Sequence, residues 1–429
     1  VPIDSIEITP PGHPLNGSVW VPGSKSITNR AMLLAAMASG RSTLREVLLS
    51  DDTARMAAAL SALGFTVATN EGERRITIEG RGGTISASSA GLDAGGAGTA
   101  MRFIAGFLTL GRGHYRLDGN ARMRQRPLGA LLDALKDLGV NAVSELDNGC
   151  PPIVIDTSSA PFKGGEVAID ASLSSQFVTA LLLPAPIWRD GLRLTISGDT
   201  ARPFIAMTLR LMERWGATST MDGDQIVVPG GQHYDAMDFA VEPDVSSASY
   251  FAAAAALVGG SVTLNGLRRD SVQGDLGFLI ILERMGAHVD WYADKVTITG
   301  DGRLFGVDIA MNGMPDMVPT LAAIAPFASS PTRIRQVGFI RHHESDRIHA
   351  LATELARIGA SVTEHDDGLT IRPSTIHTGE IETYDDHRLA MAFAITGLRQ
   401  PGIRISNPGC VAKTYPDFFD DLRLLVESV

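Results

Sequence analysis

The sequence predicts an α/β protein built from repeated units, with apolar helices buried and sheets outside. Three observations carry this. An apolar small-residue helix, a Gly turn, a short strand, a polar loop and an amphipathic helix recur in that order along the 429 residues. The amphipathic helix ends in glycine at Gly64, Gly139, Gly216, Gly286 and Gly359, about 70 to 77 residues apart. The other helix of each unit is nearly free of charge, as in Phe251–Val258, which calls for burial on all sides.

Taken in order, Gly23-Ser24-Lys25-Ser26-Ile27-Thr28-Asn29-Arg30 is a small-residue turn feeding the apolar run Ala31 to Ala36. Free N–H groups, hydroxyls and an ammonium at the positive end of a helix make an anion site. Gly98-Thr99-Ala100-Met101-Arg102 and Arg122 to Pro127 repeat the pairing of small or cationic residues with a helix start. Strands are expected at Ser42–Val47 and Ser261–Gly266, where apolar residues alternate or run together. Helical periodicity marks Pro127 to Leu135, and a last helix is expected over Tyr415 to Leu425. Glycine after the last periodic residue suits a left-handed cap, because it has no Cβ to clash.

A chain of this length is expected to form two domains, and six units divide into two bodies of three. Pro and Gly break the periodicity at Trp20-Val21-Pro22-Gly23 and at Phe239 to Asp244. If both are hinges, residues 1–21 and 242–429 form one discontinuous domain and residues 22–241 the other.

Thirty-seven Lys and Arg against 48 Asp and Glu give a net charge of -11, which argues against a nucleic-acid partner. Cys150 and Cys410 are too few for a disulfide framework and suit a reducing compartment. The apolar stretches are too short to span a bilayer, and no basic segment leads into an apolar one at the amino terminus. A cytoplasmic address without membrane contact is the expectation. No G-x-G-x-x-G follows a strand with an acidic partner downstream, which disfavours a hydride-transfer enzyme.

The segments Gly23–Arg30, Ala97–Arg102, Asp118–Leu131, Ser174–Phe177, Asp244–Ala255, Met314–Met317, His343–Arg347, Tyr384–Ala394 and Ala412–Phe419, in this order, resemble the 5-enolpyruvylshikimate-3-phosphate synthase family. The resemblance implies a two-domain inside-out α/β barrel of six βαβαββ repeats, three per domain, with the active site in the interdomain cleft. It implies transfer of the enolpyruvyl group of phosphoenolpyruvate to the 5-hydroxyl of shikimate 3-phosphate, with release of phosphate through a tetrahedral intermediate. No cofactor and no metal are implied, and a monomer is expected.

By the family's pattern, Lys25, Ser26, Arg30, Ser174, Ser175, Gln176, Asp316 and His343 hold shikimate 3-phosphate. Lys25, Gly98, Arg126, Gln176, Arg347, Arg388 and Lys413 hold phosphoenolpyruvate, the pocket for which the inhibitor glyphosate competes. Glu344 moves the proton at the methylene carbon, Asp316 is the base for the 5-hydroxyl, and Lys25 and Lys413 stabilise charge on the leaving phosphate. The chain departs from the pattern at Gly96, Phe103, Ala201, Phe204 and His343; Ala201 stands where a serine commonly contacts phosphate, so the expectation is that this contact is either lost or moved to Thr200 or Arg202.

Several of these residues also admit plainer roles. Asp316 reads as a cap for a helix over Met317 to Ala323. Glu344 reads as an exposed helix-start carboxylate with Arg347 as its surface partner. His387 is expected to be structural and Cys410 packed. A related UDP-N-acetylglucosamine transferase uses a loop cysteine that Cys150 is badly placed to supply. The alternative reading is an inactive or altered-acceptor relative with an anion-binding role.

Overall fold

The computed structural model describes residues 4–159, 162–199 and 201–428. The chain divides into two compact units, Gly23–Val241 and a second formed by Val1–Pro22 together with Glu242–Val429. Among the described residues the strands form six small sheets. The protein is thus a mixed α/β molecule.

In the unit Gly23–Val241, one sheet shows the local logic clearly. Strand Ser89–Asp93 leads through helix Gly98–Phe107 to the parallel strand His114–Asp118. Helix Gly129–Asp137 follows, and Asn141–Ser144 and Ile153–Asp156 complete the sheet antiparallel. A second sheet uses the same order: Gly165–Asp170 and Leu192–Ser197 are parallel, with Gln225–Val228 and Thr220–Asp222 added antiparallel. The third is built on Ala38–Arg45, with Arg75–Arg81 and Thr66–Asn70 on one side and Tyr234–Asp235 and Asp238–Ala240 on the other. Crossover helices poor in charge fill the interior: every residue of Gly98–Phe107 is buried, and all of Lys25–Met37 except its first two.

The other unit repeats these materials. Leu15–Val19 pairs parallel with Gly260–Asn265, and Lys295–Gly300 and His288–Trp291 extend that sheet. Asp308–Ala310, Thr332–Arg335, Gly368–Arg372 and Ser361–His365 form a second. Ser5–Glu7, Ile403–Ser406 and Gly379–Ile381 form a third. Helices Val245–Val258, Val318–Ile324 and His387–Arg399 supply the core, and in the first of them only Val258 is not buried.

All five helix-ending glycines adopt positive φ, between 92° and 112°. Several element bounds differ from expectation, the strand expected over Ser261–Gly266 running Gly260–Asn265. The strand expected to reach Val47 stops at Arg45, because Glu46 turns left-handed at φ 52°. The helix expected from Pro127 starts at Gly129. The last helix runs Phe418–Glu427 and not from Tyr415, since Pro416 biases the residue before it away from helical geometry. No helix of the described residues is long and apolar enough to cross a membrane.

Candidate active site

In the unit Gly23–Val241 the small-residue turn does open a helix: Lys25 is the first residue of Lys25–Met37. Its ammonium lies 3.3 Å from the Asp52 carboxylate, and both side chains are largely buried. One turn on, Arg30 is 2% exposed and gathers three other helices. It donates to Thr208 Oγ1 at 2.8 Å, to Thr179 Oγ1 and the Phe204 carbonyl at 3.3 Å, and to the Ser26 carbonyl at 2.9 Å. The Phe103 ring lies 4.9 Å beneath the guanidinium. These polar contacts are hydroxyls and carbonyls, which offer dipoles but no charge. Burial therefore pulls the Arg30 pKa down to about 9. An incoming anion would supply the missing counter-charge.

Ser174 caps helix Ser175–Leu182 by accepting from the Gln176 N–H at 3.2 Å. The Gln176 amide reaches Thr99 at 3.4 Å, at the start of helix Gly98–Phe107. There Gly98 lies beneath two buried guanidinium groups: a Cβ would stand 2.6 Å from both Arg102 Nη1 and Arg126 Nη1. Phosphate-sized chemistry and the absence of a side chain thus coincide. Ala201 is buried ahead of helix Arg202–Arg214, and Arg202 is drawn to Asp224 at 2.5 Å. Thr200 lies outside the described residues.

In the other unit a run of alternating charge is built around Arg347, the first residue of helix Arg347–Arg357 and 1% exposed. Its Nη1 is 2.9 Å from Asp316, its Nη2 2.9 Å from Glu344, and its Nε 2.8 Å from the fully buried Asp386. Arg388 reaches the other oxygen of Asp316 at 2.7 Å, and Lys413 reaches the other oxygen of Glu344 at 3.4 Å. Arg347 also donates to His343 Nδ1 at 3.2 Å, so that nitrogen acts as an acceptor here. Burial acts to lower the Arg347 pKa, but Asp386, Glu344 and Asp316 together outweigh it and hold the value well above an ordinary arginine. Arg388 is raised in the same way by Asp316 against its own burial.

Two plainer roles fall away with this geometry. The N-cap of helix Val318–Ile324 is Met317 and not Asp316, and the Asp316 carboxylate is held by two arginines. Arg347 is no surface partner, because its burial and three carboxylates make it a hub. His387 is buried with its ring 3.8 Å from Asp386, in keeping with a structural role. Cys410 is packed against the core, and burial lifts its thiol to about 12.

The EPSP synthase (3-phosphoshikimate 1-carboxyvinyltransferase) family model matches residues 9–422. A 3-phosphoshikimate 1-carboxyvinyltransferase of Nostoc sp. is 45% identical over 419 residues, 97% of this chain and 98% of that one. One of Nostoc punctiforme is 46% identical over 428 residues, 99% of this chain and 100% of its own. The chain belongs to the EPSP synthase family. The fold agrees: an EPSP synthase of Acinetobacter baumannii superposes with a TM-score of 0.80 at 27% identity, covering 98% of this chain and 97% of that one. An enolpyruvyl transferase of Streptomyces tendae shares the fold with a TM-score of 0.78 at 21% identity.

Against this family background, sequence reasoning named most of the cations and two of their counter-charges, Asp316 and Glu344, but missed others. Asp52 under Lys25 and Asp386 under Arg347 were not singled out. Nor was Asp275, a buried carboxylate that accepts from Ser246 Oγ at 2.5 Å. Burial first, and the charge of Asp316 second, push the Asp275 carboxyl up to about 7. The one available signal was the Asp-Asp pair Asp51-Asp52 at a helix start, which reads equally well as favourable charge at a positive helix end.

Proposed function

We propose that this chain catalyses the EPSP synthase reaction, transfer of the enolpyruvyl group of phosphoenolpyruvate to the 5-hydroxyl of shikimate 3-phosphate with release of phosphate. The observation that carries the reading is the run Lys413, Glu344, Arg347, Asp316 and Arg388 in a chain that matches the family over residues 9–422. Two partly exposed carboxylates bracket one buried guanidinium, which fixes them as a pair.

In this reading Asp316 takes the proton from the 5-hydroxyl as its oxygen attacks C2 of phosphoenolpyruvate, and Glu344 delivers a proton to C3. A tetrahedral adduct results. Glu344 then removes a proton from the new methyl group, the bond from C2 to the phosphate oxygen breaks, and the double bond returns. Lys25 and Lys413 stabilise the charge that collects on the departing phosphate. Arg126, Arg347 and Arg388, with Gly98 and Gln176, take the phosphoenolpyruvate anion. Lys25, Ser26, Arg30, Ser174, Ser175, Gln176, Asp316 and His343 take shikimate 3-phosphate. The buried Arg30 with only dipoles around it supports that assignment, because two substrates rich in negative charge need cations not already neutralised.

We read the six sheets as six βαβαββ repeats, three to each unit, with the charge-poor helices inside. Turnover then needs residues from both units. The test is phosphate release by the purified protein given phosphoenolpyruvate and shikimate 3-phosphate, with each omitted in turn and chelator in excess. Release that requires both substrates is expected. Folded protein that binds shikimate 3-phosphate yet releases no phosphate would sink the assignment and favour an altered acceptor.

A further inference from the structure

The residues that orient Arg347 and Arg388 are themselves held in an unusual way. Asp386 is the N-cap of helix His387–Arg399 and accepts from the Arg388 N–H, from Ser345 Oγ and from Arg347. The two residues that deliver it, Tyr384 and Asp385, both adopt left-handed backbone, at φ 54° and 56°. Neither is glycine, and two consecutive residues in this region are costly for L-amino acids. Such a turn persists only where its surroundings over-determine it.

The surroundings here centre on Glu354. It lies seven residues after Arg347 on the same helix, two turns or about 10 Å away, and its carboxylate is fully buried. One oxygen accepts from the Tyr384 hydroxyl at 2.9 Å and the other from the Glu382 N–H at 3.0 Å. Arg357 neutralises the charge at 3.0 Å. On the far side, Asn407 donates to the Asp385 carboxylate at 3.1 Å. Burial, and then the Glu354 carboxylate, lift the Tyr384 hydroxyl to about 12, so it stays a donor at any working pH. Arg357 is half exposed, so its pairing with the buried Glu354 adds little stability and the value of the cluster lies in geometry.

We propose that Glu354 and Tyr384 are positioning residues for the reaction: their hydrogen bond locks the left-handed Tyr384-Asp385 turn and so sets the placement of Asp386 against Arg347 and Arg388. The helix Arg347–Arg357 thus grips the loop at two points, through Arg347 at its start and Glu354 in its third turn. Neither residue touches substrate in this scheme. This inference rests on the assignment of Arg347 and Arg388 to phosphoenolpyruvate.

The test uses the full chain with Tyr384→Phe, which keeps the ring and removes only the hydroxyl; the ring is 37% exposed, so the variant should fold. Expected are a fall in kcat of about tenfold and a matching rise in the Kd for phosphoenolpyruvate measured by calorimetry without shikimate 3-phosphate, so that no turnover occurs. The Kd for shikimate 3-phosphate alone should stay within about twofold. Glu354→Gln should give the same split, and the double variant should be little worse than the poorer single one. Unchanged kcat and phosphoenolpyruvate affinity in folded Tyr384→Phe would overturn the proposal, as would equal weakening of both substrates. Because binding is read separately from turnover, a wild-type protein that binds both ligands without releasing phosphate would strike at the assigned reaction and leave the lock to be judged on affinity.

Discussion

At the residue scale the distinctive feature is how many carboxylates share few cations. Around Arg347 and Arg388 stand Glu344, Asp316 and Asp386, with Asp275 and Asp244 contributing further negative charge to the Arg388 surroundings. Asp275 relieves part of this by binding a proton. Between its unfolded value near 4 and its folded value of about 7 the native state holds a proton that the unfolded chain has released. Stability must therefore fall as pH rises through that window, by at most about 1.4 kcal/mol per pH unit for one group. Asp275→Asn removes the titration, so its stability relative to wild type should climb between pH 5 and 7 and level off above. Urea unfolding at pH 5 and pH 8 reads this; a wild-type-to-variant difference equal at the two pH values would rule the shift out.

These carboxylates also mark the limit of what the sequence disclosed. Asp386 and Asp244 occupy N-caps, where aspartate is common in any protein, so their identity carried no signal of a second duty. The partners that give them that duty lie far off in the chain: Arg347 is 39 positions from Asp386, and Asp316 is 72 from Arg388. Lysines and arginines stood out because they broke apolar or small-residue runs, whereas the acids were camouflaged by their local role.

At the scale of elements the local rules held well. Charge-poor helices are buried because nothing on their surface tolerates water better than neighbouring helices, and the glycine stops fall where left-handed backbone is needed. Gly139 separates two contributions to such a stop. Its φ is 93°, yet a Cβ there would meet nothing within 4 Å, so the whole cost of a side chain is conformational. Gly139→Ala should destabilise the protein by about 1 kcal/mol, seen as a lower denaturant midpoint with unchanged kcat. A loss several times larger would mean that the loop after helix Gly129–Asp137 is also needed for packing.

At the scale of the molecule the chain interrupts one unit to build the other. Residues 23–241 enter and leave at neighbouring positions of the chain's first excursion, between Pro22 and Glu242, and the Asp244 N–H donates to the Pro22 carbonyl at 2.8 Å. Among the described residues, the strands of Gly23–Val241 pair only with one another. A polypeptide of residues 23–241 alone should therefore unfold cooperatively, and shikimate 3-phosphate should raise its midpoint through Lys25 and Arg30. A fragment without a cooperative transition would show that its core depends on the rest of the chain.

The same interruption has a consequence for biosynthesis. Strand Ser5–Glu7 pairs with Ile403–Ser406, and the Arg404 side chain donates to Ser5 across 399 positions of sequence. At about 5 to 20 residues per second, Ser5–Glu7 leaves a ribosome roughly 20 to 80 s before the strand that will pair with it. The inserted unit can finish folding in that interval. Among the described strands Ser5–Glu7 thus waits longest for a partner, and it is where a ribosome-bound chaperone would have most to protect.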